Sequence, residues 1–265
     1  MTEAIATTPL RMIFRFPFRG PNWFGQFAIG SALIFASTFI PIVPTLFVYG
    51  YVLRVMRQAI DGQDLVLPAW DNWGKLGMDG LRAMLVSLAY LLPGILALGG
   101  GITLYFVSVI AFSAAAEAAE QVGETPGLMA SLGFMAGLVI FFFSLAAGPI
   151  LLLLGAIPLP VATAHFAARD KAEAAFRLRE WWPFLRVNKL GYFIDWVIFA
   201  GLVYILSFAL TVAYYSIVLC CLIPVLIAPI GFYMSLVSAA LFGQTYRESG
   251  ALLSASDRAV MPATQ

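Results

Sequence analysis

The stretch TPGLMASLGFMAGLVIFFFSLAAGPILLLLGAIPLPVATAHFAA, residues 125–168, decides the fold class of this chain, because it holds no Asp, Glu, Lys or Arg. A helix that faces water needs a polar side. This stretch has none over roughly twice the ~20 residues that cross a bilayer. Three other stretches are also uncharged, and the four together make up more than half of the chain: residues 20–53, 83–116 and 196–246. The sequence therefore predicts an all-α integral membrane protein.

The composition supports this class and excludes others. Hydrophobic residues are 62% and charged residues 11% of the chain, against about 45–50% and 25% in soluble domains. The net charge of +1 argues against a nucleic-acid partner, which requires a basic stripe. The adjacent Cys220 and Cys221 lie in an apolar run and are typical of small core residues rather than a metal or redox site. No cofactor is predicted.

The charged segments between the uncharged stretches indicate the topology, because Lys and Arg stay on the cytoplasmic side. The N-terminal arm, residues 54–82, residues 169–189 and the tail carry basic residues, whereas residues 117–124 carry three glutamates and no base. We therefore expect an arm at 1–23, a single transmembrane domain at 24–247 and a tail at 248–265, with both termini in the cytoplasm. Because the arm lacks the apolar core of a cleavable signal, the first uncharged stretch is expected to anchor the chain in the cytoplasmic (inner) membrane. The six predicted spans are 24–40, 44–60, 83–112, 129–155, 191–219 and 230–247.

Prolines indicate where the longer stretches divide, because proline breaks the hydrogen bonding of a helix. Pro41 and Pro44 predict one corner, and Pro224 and Pro229 predict another. Residues 125–168 would form a helix of about 66 Å, although a bilayer core is about 30 Å thick. Two interpretations stay open: a single crossing kinked near Pro158, which we favour, or three crossings.

Residues 169–185 predict an amphipathic helix at the membrane interface. Leu178, Trp181, Trp182 and Leu185 follow the spacing i, i+3, i+4, i+7 and so share one helix face. Tryptophan prefers the depth of the headgroups, where its ring is covered and its N–H reaches water. The arm alternates aromatic and basic residues at 14–19 and is expected to lie at the same depth.

The most distinctive segment follows the second predicted span. Asp61-Gly62 predicts a helix stop, and Asp71 or Asn72 is placed to cap the next helix. Glycines at every third position permit close approach of another backbone: Gly74, Gly77 and Gly80.

This segment resembles an uncharacterised family of prokaryotic membrane proteins, domain of unknown function 4013. The resemblance covers roughly residues 10–245 and implies a multi-span membrane protein, but it implies no activity, substrate or catalytic residue. It rests on these positions: Phe16-Pro17-Phe18, Asn22-Trp23, residues 40–43, Gly50-Tyr51, Arg54, Arg57, Leu67-Pro68, Trp70, Asn72-Trp73 and Asp79-Gly80, and more weakly residues 174–176 and 188–192.

Seven residues are candidates for an interaction surface: Trp70, Asp71, Trp73, Asp79, Trp181, Trp182 and Asp195. For the first four the alternatives are a docking patch, or a helix cap with an aromatic belt. Asp195 lies beside an apolar run, where an acid costs about 2.5–3.5 kcal/mol at the bilayer centre. Its alternative is an interface residue paired with Lys189 or Arg186. His165, the only histidine, has no metal-ligand partner nearby in sequence.

The absence of motifs also bears on function. No predicted span centre carries an acid or a base, and neither GxSxG, HExxH nor a P-loop occurs. We therefore expect a non-enzymatic accessory or scaffold subunit that associates with membrane lipids and other membrane proteins. The alternative is a transporter or channel-like protein for small molecules or lipids, with a cavity at the proline-broken helices. An enzyme is the third hypothesis.

Overall fold

The computed structural model describes residues 10–215 and 223–260, and these form helices and short connections with no strand. The predicted all-helical class is confirmed for the described residues, and four helical segments are long and apolar enough to cross a membrane. They are Trp73–Gln121, Leu128–Arg169, Lys189–Tyr214 and Val225–Ser256. Trp23–Ser37 is apolar but shorter, so the count of six spans stays a prediction.

We number the helices in chain order. They are α1 (Leu10–Arg15), α2 (Trp23–Ser37), α3 (Val43–Ile60), α4 (Trp73–Gln121), α5 (Leu128–Ala156), α6 (Leu159–Arg169), α7 (Leu178–Val187), α8 (Lys189–Tyr214) and α9 (Ile223–Val260). Short 3₁₀ turns occupy Phe16–Phe18 and Ala172–Phe176. The chain divides into two compact units, the first from Met1–Val86 with Pro160–Gln265 and the second from Ser87–Leu159.

The first unit is organised around α9, which packs against α1, α2, α3, α7 and α8. Small residues let the helices approach closely. A Cβ at Gly30 of α2 would overlap the ring of Phe232, and a Cβ at Gly243 would lie 2.8 Å from the Cβ of Ala59 on α3. The Phe232 ring is fully buried. The apolar residues of α9 thus form the core of this unit.

The beginning of α4 packs against α3 with almost no space between the two backbones. A Cβ at Gly50 would lie 2.0 Å from the carbonyl oxygen of Leu76. A Cβ at Gly80 would overlap the carbonyl oxygen of Leu46. Gly74, by contrast, has no heavy atom within 4 Å of such a Cβ. The predicted close approach therefore holds for the later part of the glycine series and not for its first member.

The second unit is an antiparallel pair formed by α4 and α5. Serines fill the spaces above its glycines, since a Cβ at Gly101 would meet Ser144 and one at Gly137 would meet Ser108. The rings of Tyr105 and Phe141 stack with centroids 4.8 Å apart. Gly137 of the Gly133-x-x-x-Gly137 pair thus packs within the chain, whereas a Cβ at Gly133 would meet no atom within 4 Å.

The structure resolves several boundaries that the sequence left open. The uncharged stretch 125–168 contains one long helix, α5, which ends just before Pro158, and most of the 11-residue helix α6. An α6 of about 16 Å is too short to cross a bilayer on its own, and the number of crossings stays a prediction. The predicted corner at Pro41 and Pro44 is confirmed, because α2 ends at Ser37 and α3 begins at Val43.

Other boundaries differ from the predictions. The three consecutive glycines at 99–101 do not interrupt α4, which is one continuous helix. Pro229 lies inside α9 instead of in a turn. Cys220 and Cys221, with the rest of the connection from α8 to α9, fall outside the described residues. In the arm, Ile13 and Phe16 are buried in the protein, because α1 packs on α9.

Candidate functional site

Arg57 of α3 joins three separate segments at one end of the first unit. Its Nη1 donates to Asp79 Oδ2 of α4 at 2.6 Å, and its Nη2 donates to Asp170 Oδ1 at 2.6 Å, just beyond α6. Its Nε donates to the carbonyl oxygen of Ala167 at 3.3 Å. The Asp79 side chain is only 6% exposed. A buried carboxylate needs such a partner, because desolvation of an unpaired charge is costly.

Arg54, one helix turn earlier, holds the first loop. Its guanidinium forms an ion pair with Asp71 and donates to the carbonyl oxygen of Ala69. This hydrogen bond and the nearby positive charge hold the pKa of Asp71 below its usual value of 3.8. Asn72, with φ of 52°, caps α4 instead, since its side-chain oxygen accepts from the N–H of Lys75. The prediction that one of the two would cap is confirmed for Asn72.

Aromatic rings fasten the same loop to the core. Trp70 stacks on Tyr51 with centroids 4.0 Å apart, and its indole N–H donates to the carbonyl oxygen of Gln26 on α2. The Tyr51 hydroxyl donates to the carbonyl oxygen of Pro68. Trp73 also stacks on Trp70, with ring centroids 5.6 Å apart, but stays 43% exposed. The arrangement matches a helix cap with an aromatic clamp more closely than an open docking patch.

His165 is buried between two partners that the sequence did not indicate. Its Nε2 donates to Glu180 of α7 at 3.2 Å, because a carboxylate can only accept, and its Nδ1 then accepts from the Tyr246 hydroxyl of α9 at 2.7 Å. The Phe184 ring stacks on Tyr246 at 4.6 Å. His165 is 1% exposed and Glu180 is intermediate, so a polar chain leads from the surface into the core. It ties α6, α7 and α9 together.

The Glu180 contact predicts a pH dependence of stability. Hydrogen bonds from His165 and Arg177 hold the pKa of Glu180 below its usual value of 4.5. A depressed folded-state pKa contributes stability above the unfolded-state pKa, and that stability is lost as pH falls. Glu180→Gln is therefore expected to unfold at a lower temperature than the wild type at pH 7, with the difference shrinking below about pH 4.5. Thermal unfolding in detergent across pH 3.5–8 measures it, and a pH-independent difference would contradict the assignment.

Asp195 of α8 is buried without a base. It is 5% exposed, and Thr245 of α9 donates to its Oδ2 at 2.6 Å. Neither Lys189 nor Arg186 forms an ion pair with it in the described part of the chain. The expected interface pairing is therefore replaced by a hydroxyl contact inside the fold, because the turn of α8 that carries Asp195 faces α9.

Thr245→Val is expected to lower the free energy of unfolding by about 1–3 kcal/mol, because it leaves the Asp195 carboxyl without its donor. Chemical or thermal unfolding of the purified protein measures the loss. Thr211→Val is the matched control, since the Thr211 hydroxyl is exposed and donates to the carbonyl of Ser207 in its own helix. Equal losses in the two variants would show that the Asp195 contact has no special weight.

Trp181 and Trp182 have different environments despite their shared helix face. Trp181 is 1% exposed, and its indole N–H donates to the carbonyl oxygen of Ala175 at 2.9 Å. Trp182 is 49% exposed. Glu173 and Arg177 form the ion pair that their spacing suggests, at 3.8 Å. Only the part of the predicted face that includes Trp182 is thus open to a membrane or a partner.

The seven candidates consequently fall into two sets. Four are buried and hold the fold: Trp70, Asp79, Trp181 and Asp195. Three are exposed and remain candidates for an interaction surface: Asp71, Trp73 and Trp182. Among residues 10–215 and 223–260, no three His, Cys, Asp or Glu side chains are placed to hold a metal ion. An open depression of about 270 Å³ lies between the end of α8 and the start of α9, lined by Leu210, Thr211, Tyr214, Tyr215 and Ile223.

Comparison with known families identifies a family for this chain. The family model described as "Protein of unknown function (DUF4013)" matches residues 33–215, which is more than half of the chain. The chain belongs to this family. No curated protein and no solved structure matches it. The family matches the one that the sequence resembles and supplies no activity.

The DUF4013 match covers Arg57 and its partners Asp79, Ala167 and Asp170. Sequence reasoning missed several members of the polar contacts around Arg57, His165 and Asp195. Asp170, Glu180, Tyr246 and Thr245 were not among the candidates. Their partners lie 113, 15, 81 and 50 residues away along the chain. No local spacing marks such pairs, so only the packing of α6, α7 and α9 reveals them.

Proposed function

We propose that this member of DUF4013 is a non-enzymatic subunit of the cytoplasmic membrane that associates with other membrane proteins through the α4–α5 pair. In this proposal α2 and α3 supply two short crossings beside the four long ones, and both termini lie in the cytoplasm. The basic residues of 169–189 and the acidic residues of 117–124 support this orientation.

The observation that carries the proposal is the open face of the α4–α5 pair. Leu96, Gly99, Gly100 and Thr103 share one face of α4 and are exposed. A Cβ at Gly99 or Gly100 would meet no atom within 4 Å. In lipid, small residues promote helix association because they let a second backbone approach closely. Gly133 of α5 is open in the same way. Both helices thus have room for a helix from another protein.

Photo-crosslinking in native membranes tests this proposal. A photoreactive amino acid at position 96 (Leu96) is expected to give an adduct with another membrane protein. Gly99→Leu combined with Gly100→Leu is expected to abolish the adduct while leaving the protein folded, because the added side chains point into open space. Gly201→Leu is the matched control, since a Cβ at Gly201 of α8 also meets nothing within 4 Å. Crosslinks to lipid alone in the wild type would refute the proposal.

The depression at the end of α8 favours transport of a small molecule or lipid as the second candidate function. It adjoins the start of α9 and is lined mainly by apolar and aromatic side chains, which suit a small apolar ligand. Flux of a panel of small solutes and fluorescent lipids into proteoliposomes tests this candidate. Replacement of Thr211 by Trp is expected to fill the depression and to stop any flux that depends on it.

A further inference from the structure

The exposed side of α7 combines apolar and basic residues. Leu178 and Trp182 are 57% and 49% exposed, and Arg179 and Arg186 are exposed on the adjoining strip of the same helix. At 100° per residue, these four side chains span about a third of the helix circumference. Trp181 lies beside this arc and is buried, which fixes the rotation of α7. The rotation thus points Trp182 and the two arginines away from the core.

The basic residues of this arc and the following Lys189 form no ion pair within the described part of the chain. Arg177 forms ion pairs with Glu173 and Glu180. No acidic residue lies within ion-pair distance of Arg179, Arg186 or Lys189 in that part. The acids near α7 are thus engaged elsewhere, and three positive charges remain for an external anion.

The arc continues onto the apolar side of α8. Leu190 and Phe193 are 70% and 64% exposed, directly after Lys189. Asn188 forms the bend between the helices, since its side chain accepts from the N–H of Gly191 at 3.2 Å. None of the residues in the most apolar part of α8 is buried in the protein. This part of the helix is therefore expected to lie among the acyl chains. The arginines of α7 then lie at the depth of the lipid headgroups.

We propose that Trp182, Arg179, Arg186 and Lys189 form a binding surface for anionic phospholipid headgroups. Guanidinium groups bind phosphate oxygens in paired hydrogen bonds, while Trp182 and Leu178 reach the start of the acyl chains. A soluble anionic protein fits less well, because an exposed tryptophan and leucine would lose their apolar surroundings at a wet, charged interface. This proposal specifies anionic phospholipids as the lipids with which the protein associates. It does not depend on the proposed association with another membrane protein.

Lipid binding to the purified full chain tests the surface. Detergent-solubilised protein is titrated with brominated phosphatidylglycerol or brominated phosphatidylcholine, and quenching of Trp182 is isolated as the difference between the wild type and Trp182→Phe. The wild type is expected to bind phosphatidylglycerol more tightly than phosphatidylcholine. The combined variant Arg179→Gln, Arg186→Gln and Lys189→Gln is expected to lose roughly 100-fold in phosphatidylglycerol affinity, at about fivefold per charge.

Controls separate a specific surface from general attraction. Arg11→Gln, Arg15→Gln and Arg19→Gln together remove the same charge from exposed positions of the N-terminal arm and are expected to leave Trp182 quenching unchanged. An equal loss in this control, an unaltered affinity in the α7 variant, or no preference of the wild type for phosphatidylglycerol would each overturn the proposal. Unfolding temperature in phosphatidylcholine checks that the variants fold. If the triple variant does not fold, Arg186→Gln alone is used, with a fivefold loss expected.

Discussion

Arg57→Ala is expected to lower the free energy of unfolding by about 3–5 kcal/mol, the largest loss that we predict for a single side chain. The substitution leaves the buried carboxylate of Asp79 without its main partner and releases Asp170 and the carbonyl of Ala167. Arg82 compensates only in part, because its guanidinium is 3.9 Å from Asp79 and is 46% exposed. Thermal unfolding followed by size-exclusion chromatography in detergent measures the loss.

Arg54→Ala is the matched control. Its partner Asp71 is 69% exposed, and exposed ion pairs contribute at most about 1 kcal/mol. A second test removes Arg57 and Asp79 together, because Arg57→Met with Asp79→Leu leaves no buried carboxylate unpaired and releases only the exposed Asp170. This double variant is expected to recover much of the stability that Arg57→Ala loses. Equal instability of the Arg54 and Arg57 variants would contradict the central role of the Arg57 network.

Gly80→Ala is expected to destabilise the first unit by about 1–3 kcal/mol, although alanine favours helix. The new methyl group would overlap the backbone carbonyl of Leu46, and a backbone atom in a helix cannot move aside alone. The two helices must separate, which loosens the neighbouring contact of Gly50 with Leu76. Chemical denaturation of the purified protein measures the loss.

Gly74→Ala provides the control in the same helix. No atom lies within 4 Å of a Cβ at this position, so the substitution adds no clash. Alanine is a better helix former than glycine by up to about 1 kcal/mol, so Gly74→Ala is expected to be neutral or stabilising. A loss comparable to that of Gly80→Ala would show that the destabilisation does not come from the contact between α3 and α4.

Local features of the fold could be predicted from the sequence because their causes are local. Asp61-Gly62 ends α3 as expected, since glycine accepts the φ of 70° found there. Pro41 and Pro44 mark the corner between α2 and α3 for an equally local reason. The glycine series of α4 predicted close packing between helices less well. Residues three apart on a helix are rotated by about 60°, so Gly74 and Gly80 point in directions about 120° apart.

The candidate site depended on contacts that the sequence does not encode locally. The sequence predicts the tryptophans at 70, 73, 181 and 182 as candidates for an interaction surface, but pattern alone does not separate the buried members from the exposed ones. Whether each tryptophan is buried depends on the side chains that pack against it. Trp70, for example, contacts Tyr51 and Phe232. Phe232 belongs to α9, so its position is fixed only when α9 packs against the other helices of the unit. Non-local packing therefore limits what can be inferred about the site.

The first unit combines two segments that are far apart in the sequence, Met1–Val86 and Pro160–Gln265. The ribosome therefore makes its two parts at different times. At 5–20 residues per second, the ribosome needs roughly 7–30 s after Val86 to reach Phe232. During that time Tyr51 and Trp70 have no α9 to cover them. A nascent chain that stops before α9 would insert its earlier apolar helices into the membrane while the residues that α9 covers are still exposed. The apolar core around Tyr51 and Trp70 is thus completed only after α9 has been made.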